Sequence, residues 1–141
     1  MMATVRGGLL MAIILLILGC SSADNGAEKQ ISDHKAVILS HTDSGGNFEL
    51  QPGRTLKITL EENPTTGYRW QIAESDDMIL KLLNRKYERA DAEPGKLGVG
   101  GMVTFEFEAA GKGIAELKMV YIRATADSDT AGQFSVAIEV K

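Results

Sequence analysis

Leu56, Ile58 and Leu60 alternate with Thr55, Lys57 and Thr59, the period of two that turns one face of a β-strand toward a core and the other toward water. The alternation returns at Val103, Phe105 and Phe107 against Thr104, Glu106 and Glu108, and at Phe134, Val136, Ile138 and Val140 against Ser135, Ala137 and Glu139. Ala115, Leu117, Met119 and Tyr121 mark a further strand, and Gly111-Lys112-Gly113 before them reads as a hairpin-type turn. Lys35 to Ser40 and Asn47 to Gln51 are shorter β-favourable segments, with Pro52-Gly53 as the turn after the second. Tyr68, Trp70 and Ile72 also alternate, which places Trp70 in the core or at its edge. Only Met78, Ile79, Leu82 and Leu83 have the spacing of a helical face, and a bent edge strand fits them equally. Seven or eight short antiparallel strands separated by Gly, Pro, Asn and Asp turns, with no βα alternation, predict an all-β fold of two sheets packed face to face.

The strand pattern does not extend to the start of the chain. Arg6 precedes an unbroken apolar run from Leu9 to Leu18, too short to span a bilayer as a helix, which needs about 20 residues. A basic start, a short apolar stretch and a small residue before a cleavage point describe a secretory signal over residues 1–19. Ile17-Leu18-Gly19-Cys20 resembles a bacterial lipobox, which implies cleavage before Cys20 and acylation of that cysteine. Ser21, not Asp, follows it, a pattern similar to that of lipoproteins sent to the outer membrane. Cys20 is the only cysteine, so no internal disulfide is possible and the domain must stand on its own core. Residues 20–34 are small and polar and read as a flexible tether, leaving 35–141 as the domain.

The chain has 141 residues, 44% hydrophobic and 24% charged, enough for one core. Its net charge of −4 becomes one unit more negative when Arg6 leaves with the signal, which argues against nucleic acid, whose phosphates demand a basic stripe. The two histidines, His34 and His41, sit in no catalytic or metal-binding pattern. Asp76-Asp77 and Asp127-Ser128-Asp129 lack the ligand count and glycine spacing of a calcium loop and read as solvated turns. Gly98, Gly100 and Gly101 are not followed by the Lys-Ser/Thr of a phosphate cradle. The residues imply neither cofactor nor metal, and what remains unusual lies in the loops.

Glu62-Asn63-Pro64-Thr65-Thr66-Gly67-Tyr68-Arg69-Trp70 resembles the first signature of the chagasin family, inhibitors of papain-type cysteine proteases. Gly98-Val99-Gly100-Gly101 matches a second family signature, and Tyr121-Ile122-Arg123 the approach to a third. The third departs from the family, which continues with Pro and a large aromatic where this chain has Ala124 and Thr125. The resemblance covers about Lys35 to Lys141. It implies an immunoglobulin-like β-sandwich that inhibits reversibly, as a monomer and not as an enzyme, by placing three loops in the protease cleft. The protease-binding residues it implies are Asn63, Pro64, Thr65, Thr66, Gly67, Tyr68, Gly98, Gly100, Gly101 and Arg123. Physical chemistry supports an ordered first loop, because Pro64 fixes φ, Asn63 can bond back to its own turn and Gly67 permits φ above zero. The glycines of the second signature would let backbone approach a partner closely. An envelope-anchored sandwich serving as a structural or adhesive module is the alternative.

Overall fold

A computed structural model describes residues 35–91, 94–123 and 129–141. The assigned signal and tether, with Cys20, lie outside the described residues, as do Ala124 and Thr125 of the third signature. Among the described residues eight strands form: β1 (Val37–Ser40), β2 (Asn47–Leu50), β3 (Thr55–Glu62), β4 (Tyr68–Glu74), β5 (Leu80–Arg89), β6 (Gly101–Ala109), β7 (Gly113–Arg123) and β8 (Thr130–Val140). They make two four-stranded sheets, ordered β1-β3-β6-β5 and β2-β8-β7-β4. The inner faces meet through the alternating residues read from the sequence: Leu56, Ile58, Leu60, Val103, Phe105 and Phe107 from one sheet, Leu117, Met119, Phe134, Val136 and Ile138 from the other, all buried. Burying each such side chain stabilises the fold by roughly 1.5–3 kcal/mol.

Two features depart from the simplest reading of the sequence, and one open alternative is decided. The sheets are not wholly antiparallel, since β1 runs parallel to β3 and β2 parallel to β8. A parallel pair needs a crossover between its strands, and here the facing sheet supplies it: the chain leaves β1, lies in the other sheet as β2, and returns as β3. Gly111-Lys112-Gly113 is likewise no hairpin. It carries the chain from β6 in one sheet to β7 in the other, where Gly113 pairs with Val140.

The stretch with helical spacing is an edge strand containing a bulge. Leu82 pairs with Phe107 and Asn84 with Glu106, so Leu83 is the extra residue. The bulge reverses which side chains face inward. Before it Leu80 and Leu82 lie opposite core residues of β6, and after it Arg85 and Tyr87 lie opposite Phe105 and Val103.

Register also fixes which connections share an end of the sandwich. Glu62, ending β3, and Arg89, ending β5, both pair with Gly101 at the start of β6. Tyr68, starting β4, pairs with Arg123 at the end of β7, and Ile122 pairs with Thr130 at the start of β8. The β3–β4, β5–β6 and β7–β8 connections therefore leave from one end, with the short β3–β4 turn bridging the two sheets.

Candidate functional site

The β3–β4 connection is a single 3-10 turn, Pro64–Thr66, closed at both ends. Asn63 caps its start, the side-chain oxygen accepting from the Thr65 amide at 3.2 Å. Pro64 supplies the first helical φ without wasting a donor. Gly67 closes the turn at φ 85°, its amide donating to the Pro64 carbonyl at 3.1 Å, a backbone conformation that glycine adopts without strain. Both threonine hydroxyls turn inward, Thr65 Oγ1 to Asn63 Oδ1 at 2.6 Å and Thr66 Oγ1 to the Asn63 carbonyl at 2.7 Å. The tip is therefore less polar than its sequence suggests.

Asn63 also joins this loop to the β5–β6 loop, because its Nδ2 donates to the Gly98 carbonyl at 3.0 Å. The three glycines of the second signature divide the work. Gly98, at φ 78°, faces open space apart from Thr65 Oγ1. At Gly100 a Cβ would stand 3.1 Å from the Glu62 carbonyl and 3.3 Å from Asn63 Cβ, so its small size lets the second loop lie against the first. Gly101 is buried, and a Cβ there would meet the Glu88 carbonyl at 2.1 Å. Its missing side chain serves the β5–β6 pairing and not, as expected of all three glycines, the approach of a partner.

The third loop enters through its two described flanks. The Arg123 guanidinium lies over the Tyr68 ring, 4.6 Å from the centroid, and the Arg123 stem packs by Gly67. The Tyr68 hydroxyl donates to a carboxylate oxygen of Asp129. That bond, with burial second, pushes the ionisation of Tyr68 above its ordinary value, against the pull of Arg123. Behind them an aromatic row continues inward: Tyr68 and Tyr121 have centroids 5.5 Å apart, and Tyr121 stacks on the buried Trp70 at 5.1 Å. The Tyr121 hydroxyl accepts from the Asn63 amide at 2.9 Å, fixing the root of the first loop.

Beneath this row sits Glu62, the first residue of the first signature, for which the resemblance implies no role. Glu62 occupies the next core-facing position after Leu56, Ile58 and Leu60 and is only 2% exposed. Arg85 Nη2 donates to both of its carboxylate oxygens at 2.8 Å, and the Trp70 amide donates to one of them at 2.8 Å. The Trp70 indole N–H in turn donates to the Glu61 carbonyl at 2.8 Å. A cleft of about 720 Å³ opens beside these residues, lined in part by Glu62, Asn63, Trp70, Gly100 and Tyr121. Its buried carboxylate is bonded at both oxygens, by Arg85 and by the Trp70 amide. Continuing the period of two by one step would have found Glu62. Asp129, read as part of a solvated turn, could be recognised only through its partner on β4.

Asn63, Pro64, Thr65, Thr66, Gly67, Tyr68, Gly98, Gly100, Gly101 and Arg123 thus gather at one end of the sandwich. The profile described as Chagasin family peptidase inhibitor I42 matches residues 49–140. Amoebiasin-1 of Entamoeba histolytica is 23% identical over 105 residues, which cover 74% of this chain and 100% of that protein. Among solved structures, the cysteine protease inhibitor EhICP2 from Entamoeba histolytica aligns with a TM-score of 0.69 at 19% identity, over 75% of this chain and 96% of that one. Leishmania mexicana ICP aligns with a TM-score of 0.56 at 26% identity, over 70% and 90% of the two chains.

Proposed function

The chain belongs to the chagasin family of peptidase inhibitors, and from that premise we propose that it reversibly blocks the active-site cleft of a papain-type cysteine protease with the loop end of its sandwich. It is an inhibitor of cysteine proteases and not an enzyme. Family membership disfavours the structural or adhesive alternative. In this reading Asn63 to Tyr68 enter the cleft, Gly98 and Gly100 with Gly101 behind them flank one side, and Arg123 with the loop after it flanks the other.

The observation that carries the proposal is the set of bonds joining the loops before any partner arrives: Asn63 to Gly98, Arg123 over Tyr68, and Tyr68 to Asp129. A surface ordered in advance loses little conformational entropy on association. A turn capped at Asn63 and closed at Gly67 also resists being drawn into the extended form of a substrate, which suits an inhibitor that is bound without being cut. One domain suffices for one cleft, so the inhibitor acts as a monomer.

Replacing Thr66, exposed at the tip, with arginine tests the role of the first loop. Inhibition should collapse while the protein still folds, its midpoint lowered only by loss of the Thr66 hydroxyl bond to the Asn63 carbonyl. Unchanged inhibition would remove this loop from the interface. For location, the reading is lipid anchorage at Cys20 in a bacterial outer membrane, supported by the signal-like start and the lipobox resemblance. Cys20→Ser should move the protein from the membrane to the soluble fraction, and retention in the membrane would refute the anchor.

A further inference from the structure

Leu97 lies in the second loop, one residue before Gly98, and is 95% exposed. A lone exposed leucine on a soluble domain is ordinary. This one is distinguished by how its backbone is held. The carbonyl before it, that of Lys96, accepts from Arg89 Nη2 at 3.3 Å, and the carbonyl after it, that of Gly98, accepts from Asn63 Nδ2 at 3.0 Å. Gly95 and Gly98 turn the chain on either side with φ of 95° and 78°. Two side chains, one from β5 and one from the first loop, thus fix an apolar group that the described residues leave uncovered. Met78 is nearly as exposed at 82%, but it lies between β4 and β5, at the opposite end of the sandwich.

We infer that Leu97 is a specificity-determining contact of the inhibitory edge, which enters an apolar subsite beside the catalytic cleft and selects proteases whose wall there is apolar. This rests on the reading that the first loop occupies the cleft. The bond from Asn63 to Gly98 sets where Leu97 stands relative to the turn that enters it, so seating the turn carries Leu97 to a fixed place on the cleft wall. With the backbone already braced, the ordering cost of contact falls mainly on one side chain.

The test is a set of inhibition constants against papain and several cathepsin-type proteases for the unmodified protein, Leu97→Ala, Leu97→Asp, Leu97→Met and Thr66→Arg. Against the enzymes inhibited best, Leu97→Ala should weaken inhibition by about tenfold or more. Leu97→Asp should weaken it further and Leu97→Met little, and all three should unfold at the unmodified midpoint because the side chain is exposed. The spread of constants across the enzymes should narrow in Leu97→Ala. Unchanged constants in Leu97→Ala, with inhibition still lost in Thr66→Arg, would overturn the role of Leu97 and leave the first loop in place. An unmodified protein that inhibits none of the enzymes would overturn both readings.

Discussion

The guanidinium of Arg123 lies over the ring of Tyr68, 4.6 Å from its centroid, and this pairing joins the first and third loops at their bases. It is reinforced from the other flank of the third loop, where Asp129 accepts from the Tyr68 hydroxyl. The family places a proline and a large aromatic after this arginine.

The hydrogen bond to Asp129 holds Tyr68 protonated above its ordinary value of 10.0. A group whose folded ionisation is raised contributes stability that is present below the unfolded value and lost as pH rises through the folded one. Asp129→Ala should therefore lower the pH at which Tyr68 forms phenolate, read by absorbance against Tyr68→Phe. The advantage of the unmodified protein over Asp129→Ala should fade as pH rises through that ionisation. A Tyr68 titration unmoved by Asp129→Ala would deny the bond its role.

Removing Arg85 leaves the Glu62 carboxylate buried without its cation. Breaking such a pair costs roughly 3–5 kcal/mol, and the partial exposure of Arg85, 32% of its side chain, places Arg85→Met at the low end of that range. Urea unfolding of Arg85→Met should show the loss. Adding Glu62→Leu should recover part of it, but not all, because the Trp70 amide loses its acceptor.

Asn63→Ala removes both the cap of the 3-10 turn and the tie to Gly98. Loss of a cap costs about 1 kcal/mol of stability. The inhibition constant should rise by about tenfold or more, roughly 1.4 kcal/mol, because the second loop is freed at the same time. A change in stability without a change in inhibition would show that the tie does not organise the edge.

Ala124→Pro combined with Thr125→Trp restores the residues the family carries at these positions. An aromatic anchor buried at an interface contributes about 2 kcal/mol or more, so inhibition of papain should tighten by roughly thirtyfold. No gain would mean that the loop after Arg123 does not reach the enzyme.

Much of this was legible in the chain, for identifiable reasons. Leu56, Ile58 and Leu60, and their counterparts in β6 and β8, declare their strands because one face must be dry and the other wet. The turn at Asn63 to Gly67 was readable because Asn, Pro and Gly each act through local backbone geometry, and the structure shows all three doing so. Features set by distant partners were not readable. The two parallel edges depend on which sheet receives each segment, and Gly111 to Gly113 look alike whether they make a hairpin or cross between sheets. Leu82 and Leu83 mimicked a helical face because a bulge changes the period midway along β5. Glu62 continues the same period, but the partners that make a buried carboxylate tolerable there, Arg85 23 residues away and the Trp70 amide, were not legible in the chain.

The central claim is tested most directly by titrating the purified domain, residues 35–141, into papain and cathepsin-type cysteine proteases under steady-state conditions. The account predicts reversible inhibition that substrate competes away, at submicromolar to micromolar inhibitor, on the order of 8 kcal/mol of binding. No inhibition of any of these enzymes at micromolar concentration would contradict it.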